Sequence, residues 1–383
     1  MRFINLNLLI VLTLFGSFCC AAPAQRPSHN DEPRAAAPSP TAFIKAKAST
    51  TSITLRASAS STVPQAAAST QPAAQAPALL SQATAEQAGG GVPSGPPPQT
   101  SFSANALQNF RVANFIEGIE SGFFAGVLET LSKDATFTGT SADGKSIANI
   151  TTQIAAQELV HKATLEGLLD LAQQPAVPAC VTIFPVSDTN DYLAKANVVT
   201  SAAIGVIISI LQSLSRTDQN LITPLSSILS VESQQDTFFR MTGSNTPSAS
   251  PFSTALSTTF AYNIALTFVD PRSCPQLLDL PILPSLNLTS PVLSATAPAT
   301  PPTSITFNAT GVPQDGQLFV GWVNQANPVV YSNVTLNNGI GMADIPTGLT
   351  GIAFAALTAQ STATTVDALS NVTLAGPAPV LMS

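Results

Sequence analysis

The sequence predicts a mainly α-helical protein: an antiparallel bundle of four to five helices, followed by a small β-sandwich-like C-terminal module. Two changes of pattern along the 383 residues support this fold class. Residues 104 to about 269 repeat apolar side chains at spacings of three and four, which is typical of helices packed on a core. Residues 304–383 instead alternate apolar and polar side chains between turn residues, which is typical of strands.

Residues 1–24 have the plan of a secretory signal peptide. Arg2 precedes an uncharged apolar run at residues 8–18, and small residues end at Ala24, where we expect cleavage; Ala21 is the alternative. The run is shorter than the roughly 20 residues that span a membrane. We therefore expect a secreted, extracellular chain, free or in a cell wall, with no transmembrane span after cleavage.

Residues 25–103 consist mainly of Ala, Ser, Thr, Pro and Gln. Such a segment buries too little apolar surface to offset the entropy of ordering it, so we expect a disordered, O-glycosylated stalk.

The bundle is expected over residues 104–285. Helical periods cover about 105–131, 146–173 and 188–215, a fourth helix begins at Thr223 and Pro224, and a shorter fifth follows. The third period is uncharged from 196 to 215 and is therefore long enough to suggest a membrane span. Its interspersed Asn, Ser, Thr and Gln residues favour a buried bundle helix instead.

A Pro/Ser/Thr-rich linker is expected at 286–303 and the β-rich module at 304–383. The module contains Trp322, the only tryptophan. Trp322 is either a core residue or part of a surface that binds a wall polymer or another protein.

Secretion would also determine whether the cysteines are oxidised and whether the chain is glycosylated. Cys180 and Cys274 remain after signal cleavage, and in an oxidising compartment we expect them to form a disulfide; two buried free thiols are the alternative. Asn-x-Ser/Thr sequons predict N-glycosylation at Asn149, Asn287, Asn308, Asn333 and Asn371.

The charge balance excludes one class of partner. Only 9% of the residues are charged and the net charge is -7, so no basic patch could hold a phosphate backbone. We expect no nucleic-acid partner.

Several polar residues fall on the apolar helical stripes and should therefore point into the bundle. Glu120 lies on the first stripe, whereas Glu117 is placed nearer the flank. The remaining inward positions are Glu158 and His161 in the second period, Thr200 in the third, and Glu232 and Gln235 in the fourth. Buried carboxylates need a compensating partner, and a metal ion or shared protons would supply one.

Five motifs in this order resemble a known family. They are "IEGIESGFF", "ELVH", "VPACVTIFPVSD", "ILSVESQQ" and "DPRSCP". The chain resembles the secreted fungal ferritin-like proteins, a group described by roles in stress response and sexual development. The resemblance covers residues 104–284 and implies a ferritin-like bundle, in which four helices supply Glu and Glu-x-x-His ligands to two iron ions.

The departures from this pattern decide what function we expect. Thr200 stands where the family has a third-helix Glu, and Gln235 stands where it has a histidine, so the usual di-iron ligand set is incomplete. We therefore expect a secreted, glycosylated surface or wall-associated protein whose degenerate site is a hydrogen-bonded polar core. The alternative is that Glu120, Glu158, His161 and Glu232 hold one iron or manganese ion, for sequestration or oxidation. We predict no catalytic residues.

Overall fold

A computed structural model describes residues 80–95, 97–140, 144–183, 186–309 and 316–383. The predicted signal peptide and residues 25–79 of the predicted stalk lie outside the described residues.

The described residues form four long helices and several short ones. The helices are α1 (Gln82–Ala88), α2 (Ala104–Thr130), α3 (Ala135–Thr138), α4 (Ile147–Leu171), α5 (Thr189–Leu214), α6 (Ile222–Thr242), α7 (Thr258–Leu266) and α8 (Val366–Ser370). In the bundle, α2 packs on α4 and on α5, and α5 also packs on α6 and α7. The predicted bundle of four to five helices is confirmed.

Local sequence explains where the long helices begin. The side chains of Ser103, Ser146 and Asp188 accept hydrogen bonds from backbone N–H groups in the first turns of α2, α4 and α5. Helix α6 follows a 3-10 turn at Gln219–Leu221 and begins one residue before Thr223. The predicted start at Thr223 and Pro224 was slightly late, because these residues lie inside the first turn, where proline is tolerated.

Helix α5 is long and apolar enough to cross a membrane, and it is the only such helix in the described part of the chain. Of the most apolar 18-residue stretch of this helix, 78% is buried inside the protein. Burial on most sides is typical of the central helix of a bundle.

The predicted disorder of residues 25–103 is wrong for part of the segment. Residues 82–88 form α1, which begins with a Ser81 cap, ends at Gly89 in the left-handed conformation and packs on α4. Ala88 is buried there. The composition did not reveal this helix, because its few small apolar residues are stabilised by contact with α4 and not by a core of their own.

The C-terminal module is one antiparallel sheet of seven strands that is nearly closed into a barrel. The strands are β1 (Leu288–Ser290), β2 (Ser304–Asn308), β3 (Phe319–Val323), β4 (Val330–Asn337), β5 (Ile340–Asp344), β6 (Ile352–Thr358) and β7 (Thr373–Leu381), in the order β1-β2-β5-β4-β3-β6-β7. Strand β1 lies inside the predicted linker, because its pairing with β2 draws residues 288–290 into the sheet.

The helical region and the sheet pack against each other through apolar side chains. Helix α7 packs on β7, and Phe354 and Leu381 of the sheet belong to the same buried cluster as the bundle core. A second cluster lies within the sheet and includes Trp322, which is fully buried and donates its Nε1–H to Ser332 Oγ at 3.0 Å. Trp322 is therefore a core residue.

The structure places the two cysteines and the five sequon asparagines. A disulfide joins Cys180, after α4, to Cys274, after α7, which confirms the predicted pairing. All five sequon asparagines are exposed. Their glycosylation stays a prediction.

Candidate metal site

Four buried side chains from three helices converge in the bundle core. Glu117 comes from α2, Glu158 and His161 from α4, and Glu232 from α6. One potential ligand atom from each of them lies within 4.8 Å of all the others. None of the four residues is more than 8% exposed.

The Nδ1 atom of His161 is the point on which the carboxylates converge. It lies 3.1 Å from Glu232 Oε1, 3.2 Å from Glu158 Oε2 and 3.5 Å from Glu117 Oε2. Only the contact with Glu158 has the geometry of a hydrogen bond. One N–H group cannot satisfy three carboxylates, so the cluster is not completed by its own hydrogen bonds.

The unsatisfied atoms fit a metal ion. Glu117 Oε2 and both carboxylate oxygens of Glu232 are buried and have no hydrogen-bond partner among the described residues. Donors held about 2.0 to 2.2 Å from a tetrahedral ion lie roughly 3.4 Å from one another, close to the separations from Nδ1 seen here. A cation would therefore supply the partner that these oxygens lack.

The residues at the two altered positions of the family pattern lie beside this cluster. Gln235 Nε2 donates to Glu158 Oε1 at 2.6 Å and to Gln157 Oε1 at 3.2 Å. Thr200 Oγ1 donates to Glu120 Oε1 at 3.3 Å. Gln235 thus orients one carboxylate of the cluster, and Thr200 contacts a carboxylate next to it.

Burial controls the protonation of the carboxylates in the metal-free protein. It raises the pKa of Glu117 to about 7 and, together with neighbouring carboxylates, raises the pKa values of Glu120 and Glu232 well above the usual range. Burial also opposes ionisation of Glu158, but His161, Glu117 and Gln235 outweigh it and lower the pKa of that carboxyl. Burial lowers the pKa of His161, but Glu117 and Glu158 outweigh this effect and raise it.

The helical spacing predicted Glu158, His161 and Glu232 as ligands, and these three lie together in the structure. The same spacing predicted Glu120 as the fourth ligand and Glu117 on the flank, whereas the structure places Glu117 among the four donors. Glu120 is fully buried, but it pairs with Thr200 of α5 and lies outside the group. Helix α2 packs on both α4 and α5, so it presents two inward faces, and counting a single apolar stripe identified only one of them.

The helical part also matches a known domain model. Residues 105–244 match the ferritin-like domain. This stretch of the chain is a ferritin-like domain. The match begins at α2 and ends after α6, so α1, α7 and the sheet lie outside it. A search of curated proteins finds no match for the chain.

The donor set limits what the ferritin-like domain can hold. Three carboxylates and one imidazole are hard and intermediate donors that suit iron or manganese. His161 is the only histidine in the described residues, and no other group of potential metal ligands occurs among them. With Thr200 and Gln235 at the altered positions, the usual ligands for a second ion are incomplete. A bound ion would supply a fixed positive charge and, for iron, redox chemistry.

Proposed function

We propose that the ferritin-like domain binds one iron or manganese ion through Glu117, Glu158, His161 and Glu232, and that it sequesters the ion. The observation that carries this proposal is the set of buried carboxylate oxygens that converge on His161 without hydrogen-bond partners. Oxygen-dependent turnover is not part of the proposal, because the family performs it with two ions and this chain lacks two of the usual ligands.

The alternative of a purely structural polar core is supported less well. A buried polar network is stable when every member is satisfied, and a partly satisfied one is costly. Here Glu117, Glu232, Gln235 and Glu120 each retain at least one buried oxygen without a partner in the described residues. A cation at the cluster removes most of this cost.

The location proposed for this activity is outside the cell, on a glycosylated chain that is free or attached to a cell wall. The signal-peptide plan, the disulfide and the exposed sequon asparagines support this. A stress or developmental role is proposed on the family resemblance alone. Wall-polymer binding by the sheet module has little support, since Trp322 is buried.

Metal content tests the proposal. We would express the protein in a eukaryotic host and measure iron and manganese by elemental mass spectrometry. We would compare it with a Glu158→Ala/His161→Ala variant and with a control, Glu129→Ala, that changes an exposed carboxylate on α2.

We expect about one ion per chain in the wild type and in the control, and none in the double variant. Absence of metal from folded wild-type protein, even after incubation with Fe(II) or Mn(II), would overturn the proposal. Oxygen consumption with Fe(II) that the double variant abolishes would overturn the sequestration role and indicate an oxidase.

A further inference from the structure

A cavity of about 650 Å³ lies next to the metal site. Residues 88–91, 93 and 98, at the end of α1 and in the segment between α1 and α2, line one side of it. Helices α4 and α6 line the other side with residues that include Val160, His161, Thr164, Ile228 and Val231. Residues 88–98 precede the ferritin-like domain, so this wall is an addition to it.

The size of this cavity fits a small organic molecule. Ligand-binding cavities in proteins usually measure 300 to about 1,000 Å³ and are lined mainly by apolar groups, with a few polar ones that fix orientation. Here the apolar groups are valine, isoleucine, proline and alanine side chains, and the polar ones are the amides of Gln157 and Asn220 and the hydroxyls of Thr164, Thr223 and Ser227.

The charge of the lining indicates which class of molecule fits. Among the described residues that line the cavity there is no Asp, Glu, Lys or Arg, and His161 is the only titratable side chain. In the metal-bound protein His161 is a neutral ligand, so an ionised molecule would lose hydration without gaining a counter-charge from the walls, which is costly. A neutral molecule avoids this cost.

His161 connects the cavity to the metal site. Its Nδ1 atom faces the three carboxylates, and its second ring nitrogen, Nε2, has no hydrogen bond within the described residues. A histidine that binds metal through one nitrogen normally donates the N–H of the other to a carboxylate, a carbonyl or water. Since the described residues supply no such acceptor, water or another molecule in the cavity that His161 lines would supply it.

We propose that this cavity binds a neutral, largely apolar small molecule whose carbonyl or hydroxyl oxygen accepts a hydrogen bond from Nε2 of His161. The inference rests on the proposed function, because coordination through Nδ1 keeps the proton on Nε2. The ligand would contact the metal site through one of the metal's own ligands without displacing any of the four donors.

The test uses prodan, a neutral naphthyl ketone whose emission moves to shorter wavelength in apolar surroundings. Anilinonaphthalene sulfonate, an anion of similar size, is the charge control. The Val160→Trp variant fills the cavity, and Leu159→Trp places the same side chain on an exposed neighbouring position of α4, outside the lining. All measurements use the full chain, and the metal content of each variant is determined alongside.

We expect the wild type and Leu159→Trp to bind prodan with the same affinity, Val160→Trp to bind it at least tenfold more weakly, and the anion to bind more weakly than prodan. In Mn(II)-loaded protein, the proton resonances of bound prodan should broaden, because the cavity adjoins the metal. Failure of the wild type to bind prodan, or equal binding by Val160→Trp, would overturn the proposal.

The two proposals can fail separately. If Val160→Trp keeps its metal but no longer binds prodan, the cavity assignment is supported independently of metal binding. Prodan binding by a wild-type chain that never takes up metal would instead overturn the proposed function, and sensitivity of that binding to Val160→Trp would still support the cavity.

Discussion

Nδ1 of His161 and Oε1 of Glu232 approach within 3.1 Å across helices α4 and α6, and yet Glu232 has no hydrogen-bond partner in the described part of the chain. A short contact without hydrogen-bond geometry is the arrangement expected of two ligands that point at a shared ion.

The two buried glutamates of α2, Glu117 and Glu120, should differ in their effect on metal binding. Glu117→Gln removes a donor from the cluster and should lower metal content from about one ion per chain to near zero. Glu120→Gln is the matched control, because Glu120 lies one turn away, is equally buried and pairs with Thr200. Elemental mass spectrometry of both variants measures the difference. If only Glu120→Gln loses metal, the ligands are the four residues expected from the sequence, with Glu120 in place of Glu117.

Restoring the family pattern should create a second ion site. Thr200→Glu/Gln235→His supplies the missing carboxylate and imidazole, so metal content should rise from about one to about two ions per chain. Without metal, the same variant should be less stable than the wild type, because the new carboxylate on α5 faces Glu120. Thermal unfolding with and without Mn(II) measures both effects. An unchanged stoichiometry in folded protein would show that the backbone no longer accommodates two ions.

Two helical glycines should respond in opposite ways to the same substitution. A Cβ atom at Gly205 of α5 would lie 2.6 Å from the Thr254 carbonyl oxygen, so Gly205→Ala should lower the free energy of unfolding by about 1 to 3 kcal/mol. Nothing lies within 4 Å of a Cβ atom at Gly167 of α4, so Gly167→Ala should raise stability by up to about 1 kcal/mol through helix propensity. Urea unfolding measures both. Destabilisation of similar size at the two positions would contradict the close approach at Gly205.

Asp218 should stabilise the protein in a pH-dependent way. It accepts hydrogen bonds from Ser103 N at 3.1 Å, from Ser103 Oγ at 2.5 Å and from Gln99 Nε2 at 2.8 Å, and so fixes the residue that caps α2. Burial opposes ionisation of Asp218, but these hydrogen bonds and one from Thr217 outweigh it and lower its pKa. Asp218→Asn should therefore cost about 1 to 3 kcal/mol at neutral pH, the range for hydrogen bonds to a charged group.

The sign of the pH effect follows from the lowered pKa. The stabilisation by Asp218 is complete above the unfolded-state pKa of about 3.9 and is lost as the pH falls through the folded-state value. Urea unfolding of the wild type and Asp218→Asn between pH 7 and pH 3 should show the stability difference shrinking at the acidic end. The exposed Asp279→Asn serves as control. A difference that grows towards acid would show that the carboxylate is not the stabilising species.

The sequence predicted the helical region well because its periods are long. The bounds expected for the first three helices agree with α2, α4 and α5 to within two residues, since each has a polar cap followed by a regular apolar stripe. Strand β1 was missed, because it is short and is held by pairing with β2 rather than by an apolar run of its own.

For the candidate site, the spacing of residues along a single helix predicted only part of the ligand set. The pair Glu158 and His161 is local, so its spacing alone placed both side chains on the inner face of α4. The choice between Glu117 and Glu120 depends on how α2 is rotated between α4 and α5, which is set by packing of the whole bundle. Their separation of three residues was the available signal, because it placed both carboxylates on the same side of the helix.

The packing of α7 on β7 has a consequence for biosynthesis. Strand β7 occupies residues 373–381, so the surface of α7 that it covers stays open until those residues have left the ribosome. The ferritin-like domain ends more than a hundred residues earlier, so apolar surface next to it stays uncovered while translation continues. This surface of α7 is therefore covered only after the last strand of the sheet has been synthesised.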